Sequence, residues 1–198
     1  MKTTKEILKE IKQSFRLYMN GVTSFSMRQK GADYKINWGV SLSHLHEMAQ
    51  QYDKDEELAT ELWKENIREC KILATMLMPL SSMNKEKADE WVNQIHTQEI
   101  AELTTFHLFQ YIDDATQLAL DWLNRESPLV KLCAYHILSS QFKQGNKLSE
   151  THEKIFLEYA SHSLRSNHGG ERHAAMNSLN HFADMDEQHE ALVQEILG

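Results

Sequence analysis

Only two prolines and seven glycines punctuate 198 residues, and β-branched runs are scarce. A sheet protein needs both for its turns and strands, so the shortage argues for helix. No apolar stretch approaches the roughly 18 residues that span a membrane. The N-terminus MKTTKEILKEIKQSF is a charged amphipathic helix without the apolar core of a signal peptide, which predicts a cytoplasmic protein. With two cysteines, Cys70 and Cys133, each inside an apolar helical run, the reading is reduced core thiols rather than a disulfide. Net basicity is absent as well: 21 Lys/Arg stand against 29 Asp/Glu, a charge of −8 that counts against indiscriminate nucleic-acid binding. The deficit is uneven. Residues 1–35 carry eight cations against three carboxylates, leaving 13 against 26 for the rest. That basic arm is either a phosphate contact or the solvated face of a helix.

What is present is helical periodicity. In residues 58–79 apolar side chains fall at Leu58, Leu62, Trp63, Ile67, Cys70, Leu73 and Leu77, the steps of three and four that bury one stripe. Asn66 lies between two apolar runs, which predicts two short helices meeting at a corner, the second stopped by Pro79. Elsewhere Thr3 or Thr4, Ser41, Thr97, Asp113 or Asp114, and Ser149 read as helix N-caps, and Ser127-Pro128 as a cap followed by the first helical residue. Expected inward positions include Ile11, Phe15, Leu17/Tyr18, Leu42, Leu45, Ile100 and Phe106. Asn167-His168-Gly169-Gly170 reads as a flexible loop.

Trp63, Trp91 and Trp122 recur at 28 and 31 residues, each in the first helix of a pair, and Tyr159 takes the fourth place. The second helices share small residues at Ala74, Ala134 and Ala174. Paired helices at periods of about 30–40 residues predict an all-α, HEAT-like α-solenoid of about 10–12 helices with a concave face. The expected layout is a single domain over 1–198, with N-terminal helices over 1–50 and helical-pair repeats over 55–197.

ELWKENIRECKILATMLM, DEWVNQIHTQEIAELTTFHLF, DWLNRESPLVKLCAYHIL and ERHAAMNSLNHFA, in this order and spacing, resemble the HEAT-like-repeat DNA alkylation repair glycosylases, the AlkD-type family, over roughly residues 20–185. The resemblance implies duplex DNA held on the concave face, excision of N3- and N7-alkylated purines, and no metal or cofactor. Breaking that glycosidic bond builds positive charge on the sugar, which a carboxylate and an aromatic face stabilise while an arginine steadies the phosphates. Residue by residue, the aspartate position of the family falls on Glu102, its tryptophan on Gln98 and its arginine on Leu132, with Lys131 beside it. In the last repeat its tryptophan and arginine fall on Asn177 and Asn180. Glu102, the candidate catalytic residue, keeps the charge but moves it by about a methylene, and a misplacement near 1 Å costs on the order of a hundredfold in rate. Gln98 offers no aromatic face and Leu132 no cation. Lys131, Arg172 and His173 are the candidate DNA-binding residues, with the Gly169-Gly170 amides as an anion cradle. The eleven histidines show no HExxH or other metal-ligand spacing. The alternative to DNA is a non-catalytic helical scaffold for a protein partner.

Overall fold

The structure, a computed structural model, describes residues 2–198. Among them are twelve α-helices and one isolated parallel bridge, between Ile36 and Ile67. No described helix is long and apolar enough to cross a membrane. The chain forms two compact units, one ending at Met83 and one over Asn84–Gly198.

In the first unit, α1 (Thr4–Ser14) opens with a capping box: Thr3 Oγ1 accepts from the Glu6 N–H, and the Glu6 carboxylate accepts from the Thr3 N–H at 2.8 Å. Ile11 and Phe15 are fully buried. Leu17, expected inward, is 80% exposed, because the α-helix stops at Ser14 and the tighter 3₁₀ turn over Phe15–Leu17 changes the angular step. α2 (Gly21–Gln29) starts at Gly21, where the Asn20 side chain accepts from the Thr23 N–H at 3.0 Å. α3 (Leu42–Ala49) is capped by Ser41 and buries Leu45 and Met48; Leu42, expected inward, sits in its first turn and is 38% exposed. α4 (Glu56–Lys64) and α5 (Arg68–Leu77) meet at the corner around Asn66. Met78 is extended ahead of Pro79, as the proline ring demands.

The start of α5 fixes the extended segment at 36–40. Ile36 exchanges backbone hydrogen bonds with Asn66 and Arg68. The fully buried Glu69 carboxylate accepts from the Trp38 and Val40 N–H groups, both at 3.2 Å, and from Arg68 Nη1. Arg68 Nη1 also donates to the Val40 carbonyl at 2.9 Å. Gly39 turns here at φ +68°, where a Cβ would lie 2.3 Å from the Asn20 carbonyl oxygen, so only glycine fits.

The second unit stacks α6 (Lys85–Val92), α7 (Gln98–His107), α8 (Ala115–Leu123), α9 (Pro128–Lys143), α10 (Glu150–Ser163), α11 (Gly169–Ala183) and α12 (Glu187–Leu197). Trp91 and Trp122 are buried on first helices, as is Trp63 on α4 of the first unit. The Trp122 indole N–H donates to Asp89 at 2.6 Å, and Arg125 grips the same carboxylate with two 2.7 Å bonds, tying α8 to α6. α9 is the axis of this unit, packing on α7, α8 and α11. Ala134 and Ala174 are buried and let second helices approach closely. Phe142, Phe156 and Phe182 close the core toward α12 with ring centroids 5.1–5.3 Å apart.

Candidate nucleic-acid interface

The Thr97 hydroxyl caps α7 and sets the register that places Gln98 in its first turn and Glu102 one turn later. The Gln98 amide donates to Glu102 Oε1 at 2.7 Å. Across from them, Leu132 on α9 is fully buried. α11 begins at Gly169 and Gly170, residues the sequence assigned to a flexible loop. His168 is its N-cap, with Nδ1 accepting from the Glu171 N–H. The helix starts there because Gly170 is buried against α7 and α9: a Cβ on it would lie 2.4 Å from Gln98 Oε1 and 3.1 Å from Leu132 Cδ1. Positions 98 and 132, far apart in sequence, therefore converge on the first turn of α11.

The candidate cations divide. Glu171 is 3% exposed and accepts from Ser163 Oγ at 2.7 Å and Ser166 Oγ at 2.6 Å. Its negative charge already occupies the electropositive end of α11, and Lys131 Nζ lies 3.8 Å from it. Lys131 thus faces a carboxylate of its own chain. Arg172 is exposed, with Nη1 bonded to the Ser166 carbonyl at 2.5 Å, and His173 is exposed beside it. Asn177 and Asn180 are exposed further along α11. No three His, Cys, Asp or Glu side chains among the described residues converge as a metal ion requires.

Glu102 also forms one wall of a cleft of about 490 Å³ between α7 and α9. Phe106, one turn beyond Glu102, is 64% exposed on the same wall; it was expected inward, but Thr104 and Thr105 fill that side of α7. On the α9 wall stand His136, Ser140 and Lys143. Burial holds the His136 ring below the usual imidazole value, with Glu102 opposing the shift and Lys143 adding to it, so the ring is neutral at pH 7. Ser140 donates to the Gln110 side chain at 2.6 Å and steadies the rim. Phe106, read as an inward residue, and His136 and Lys143, not singled out, were missed as cleft residues. The signal for the first two was their i+4 relation to Glu102 and Leu132, which puts them on the same helix faces.

The model of the DNA alkylation repair enzyme family matches residues 11–195. The chain belongs to the DNA alkylation repair enzyme family. A solved structure described as "a new family of proteins related to the HEAT-like repeat DNA glycosylases with affinity for branched DNA structures" superimposes on this family member with a TM-score of 0.79. The two share 18% identity, over 96% of this chain and 81% of that one, a likeness of fold. No curated protein matches this DNA alkylation repair family member in sequence. Within this scaffold, the Leu62-Trp63 and Arg68-Glu69 pairs of the first matching stretch are buried framework in the first unit.

Proposed function

We propose that this member of the DNA alkylation repair enzyme family binds DNA and does not excise alkylated purines. The carrying observation is the state of the three positions that the resemblance assigns to excision: Glu102 is bonded to the Gln98 amide, where a tryptophan is expected, and the arginine position is the fully buried Leu132. A neutral amide gives no cation–π attraction to an alkylated base. A leucine gives no charge-assisted bond to phosphate. The cleft beside these residues supports a binding role: exposed Phe106 offers a stacking face, and Lys143 at the rim is a cation. The affinity for branched DNA named for the structural neighbour makes a four-way junction the first ligand to compare with a duplex.

The test titrates fluorescent duplex, an abasic-analogue duplex and a four-way junction at two salt concentrations, alongside release of N3- and N7-alkylated purines. Expected are binding that weakens steeply with salt, reduced by Phe106→Ala, and no base release. Release that Glu102→Gln abolishes would overturn the non-excising reading. Absence of binding at low salt would overturn the DNA reading and leave the protein-scaffold alternative.

A further inference from the structure

The cationic arm at the start of the chain is not used by the cleft above, and it lines a groove of its own. Lys5, Lys9, Lys12 and Arg16 are spaced 4, 3 and 4 residues apart, which places them on one face of α1 and its closing turn. At 1.5 Å per residue the row runs about 16 Å. This face lines a groove of about 360 Å³ whose other wall is Ile36 and Trp38. Lys12 pairs with Glu65 at 2.8 Å. Lys5, Lys9 and Arg16 form no ion pair among the described residues, and the Arg16 guanidinium lies 5.8 Å over the Trp38 ring. The main chain of that wall is held in place, because the Trp38 backbone N–H donates to the buried Glu69 carboxylate and Ile36 is bridged to Ile67.

We infer that this groove binds single-stranded nucleic acid. A row of cations along one wall and an indole with apolar neighbours on the other is the combination that follows a sugar–phosphate backbone while receiving unpaired bases. A duplex keeps its bases stacked and would use the cations alone, leaving Trp38 idle. An anionic membrane surface fits less well: Ile11 of α1 and Phe15 of its closing turn are fully buried in the unit and are not free to enter lipid. Lys5 and Lys9 precede residue 11, where the family match begins, so half of this row lies outside the matched region.

The probe is a fluorescein-labelled thymidine oligonucleotide of about 12 nucleotides, titrated against the full chain at several salt concentrations, with the four-way junction and anionic vesicles in parallel. Replacing Lys5 and Lys9 by Gln should reduce the salt slope by about 1.4 and weaken single-strand binding more than about tenfold at low salt. Trp38→Ala should weaken it about 5- to 150-fold with the slope unchanged, and Trp38→Phe should restore most of the loss. Junction binding that persists in the Lys5→Gln/Lys9→Gln variant while single-strand binding falls establishes a site separate from the α7–α9 cleft. Unchanged single-strand binding in that variant overturns the inference even if Trp38→Ala fails to fold. So does equal loss of both DNA forms, or binding of vesicles with no binding of the oligonucleotide.

Discussion

Replacing Glu69 by Ala should be among the most damaging single changes in the first unit. The carboxylate is fully buried and serves three donors: Arg68 Nη1, the Trp38 N–H and the Val40 N–H. Removing one partner of a buried ion pair costs about 3–5 kcal/mol. The Val40 N–H, on a fully buried residue, adds about 1–3 kcal/mol when its acceptor is withdrawn, and the Trp38 N–H, on a half-buried residue, adds less. A loss of about 4–8 kcal/mol at an m-value near 2 kcal/mol/M moves a urea midpoint by about 2–4 M. Out of a total stability of about 5–15 kcal/mol, that leaves the unit marginal. Glu69→Gln retains one acceptor oxygen but loses the charge facing Arg68, and should cost about 3 kcal/mol, the lower end of the range for a broken buried ion pair. Circular dichroism followed through a urea titration reads both. A Glu69→Ala midpoint within about 0.5 M of the parent at an unchanged m-value would refute the assignment of this carboxylate as the anchor of residues 36–40.

Asp89→Ala removes the acceptor of the buried Trp122 indole and the partner of Arg125, and should destabilise the second unit by about 1–3 kcal/mol in the same urea assay; a loss below about 0.5 kcal/mol would show that water replaces the carboxylate there. Burial pushes the Cys133 thiol up to about 12 and the Cys70 thiol upward as well, so neither should react with a disulfide reagent at pH 8 until denaturant is added; stoichiometric labelling of the folded chain would contradict this. Asp186 is held well below its ordinary value of 3.8, first by the Lys147 ammonium and then by the His189 N–H and ring. A depressed carboxyl stabilises the fold above its unfolded value and loses that contribution as pH falls. The stability gap between the parent and Asp186→Asn should therefore be full at neutral pH and shrink below about pH 4; a gap independent of pH would count against it.

The helical-pair architecture was legible because its signals are local or regularly repeated. Thr3, Ser41, Thr97 and Ser149 cap the helices assigned to them because a short polar side chain answers N–H groups only two or three residues away. Trp63, Trp91 and Trp122 marked successive first helices because each pair must bury the same face. Periodicity failed where a helix changed pitch or ended, as at Leu17, and where two threonines could fill the buried side in place of Phe106. Gly169-Gly170 misled for a different reason. A glycine pair signals a turn and also a close approach, and only Gln98, more than seventy residues earlier, decides between them. At the candidate site, the Gln98–Glu102 contact follows from i, i+4 spacing. The placing of Lys131 beside Glu171 joins residues forty apart and depends on the packing of α9 against α11.

The packing at Gly170 acts as a ratchet on what mutation can recover. Installing tryptophan at position 98 needs room where the Gln98 amide now rests against a residue without a side chain. Installing arginine at Leu132 would put a guanidinium into a fully buried site whose neighbouring carboxylate, Glu171, is already satisfied by two serines and approached by Lys131. Such a charge costs several kcal/mol unless it is paired. Each step alone lowers stability, and the pattern that the resemblance assigns to excision needs both together with aspartate at position 102. A lineage carrying this core would install the family's residue pattern at these positions through several simultaneous changes, or would first repack the start of α11.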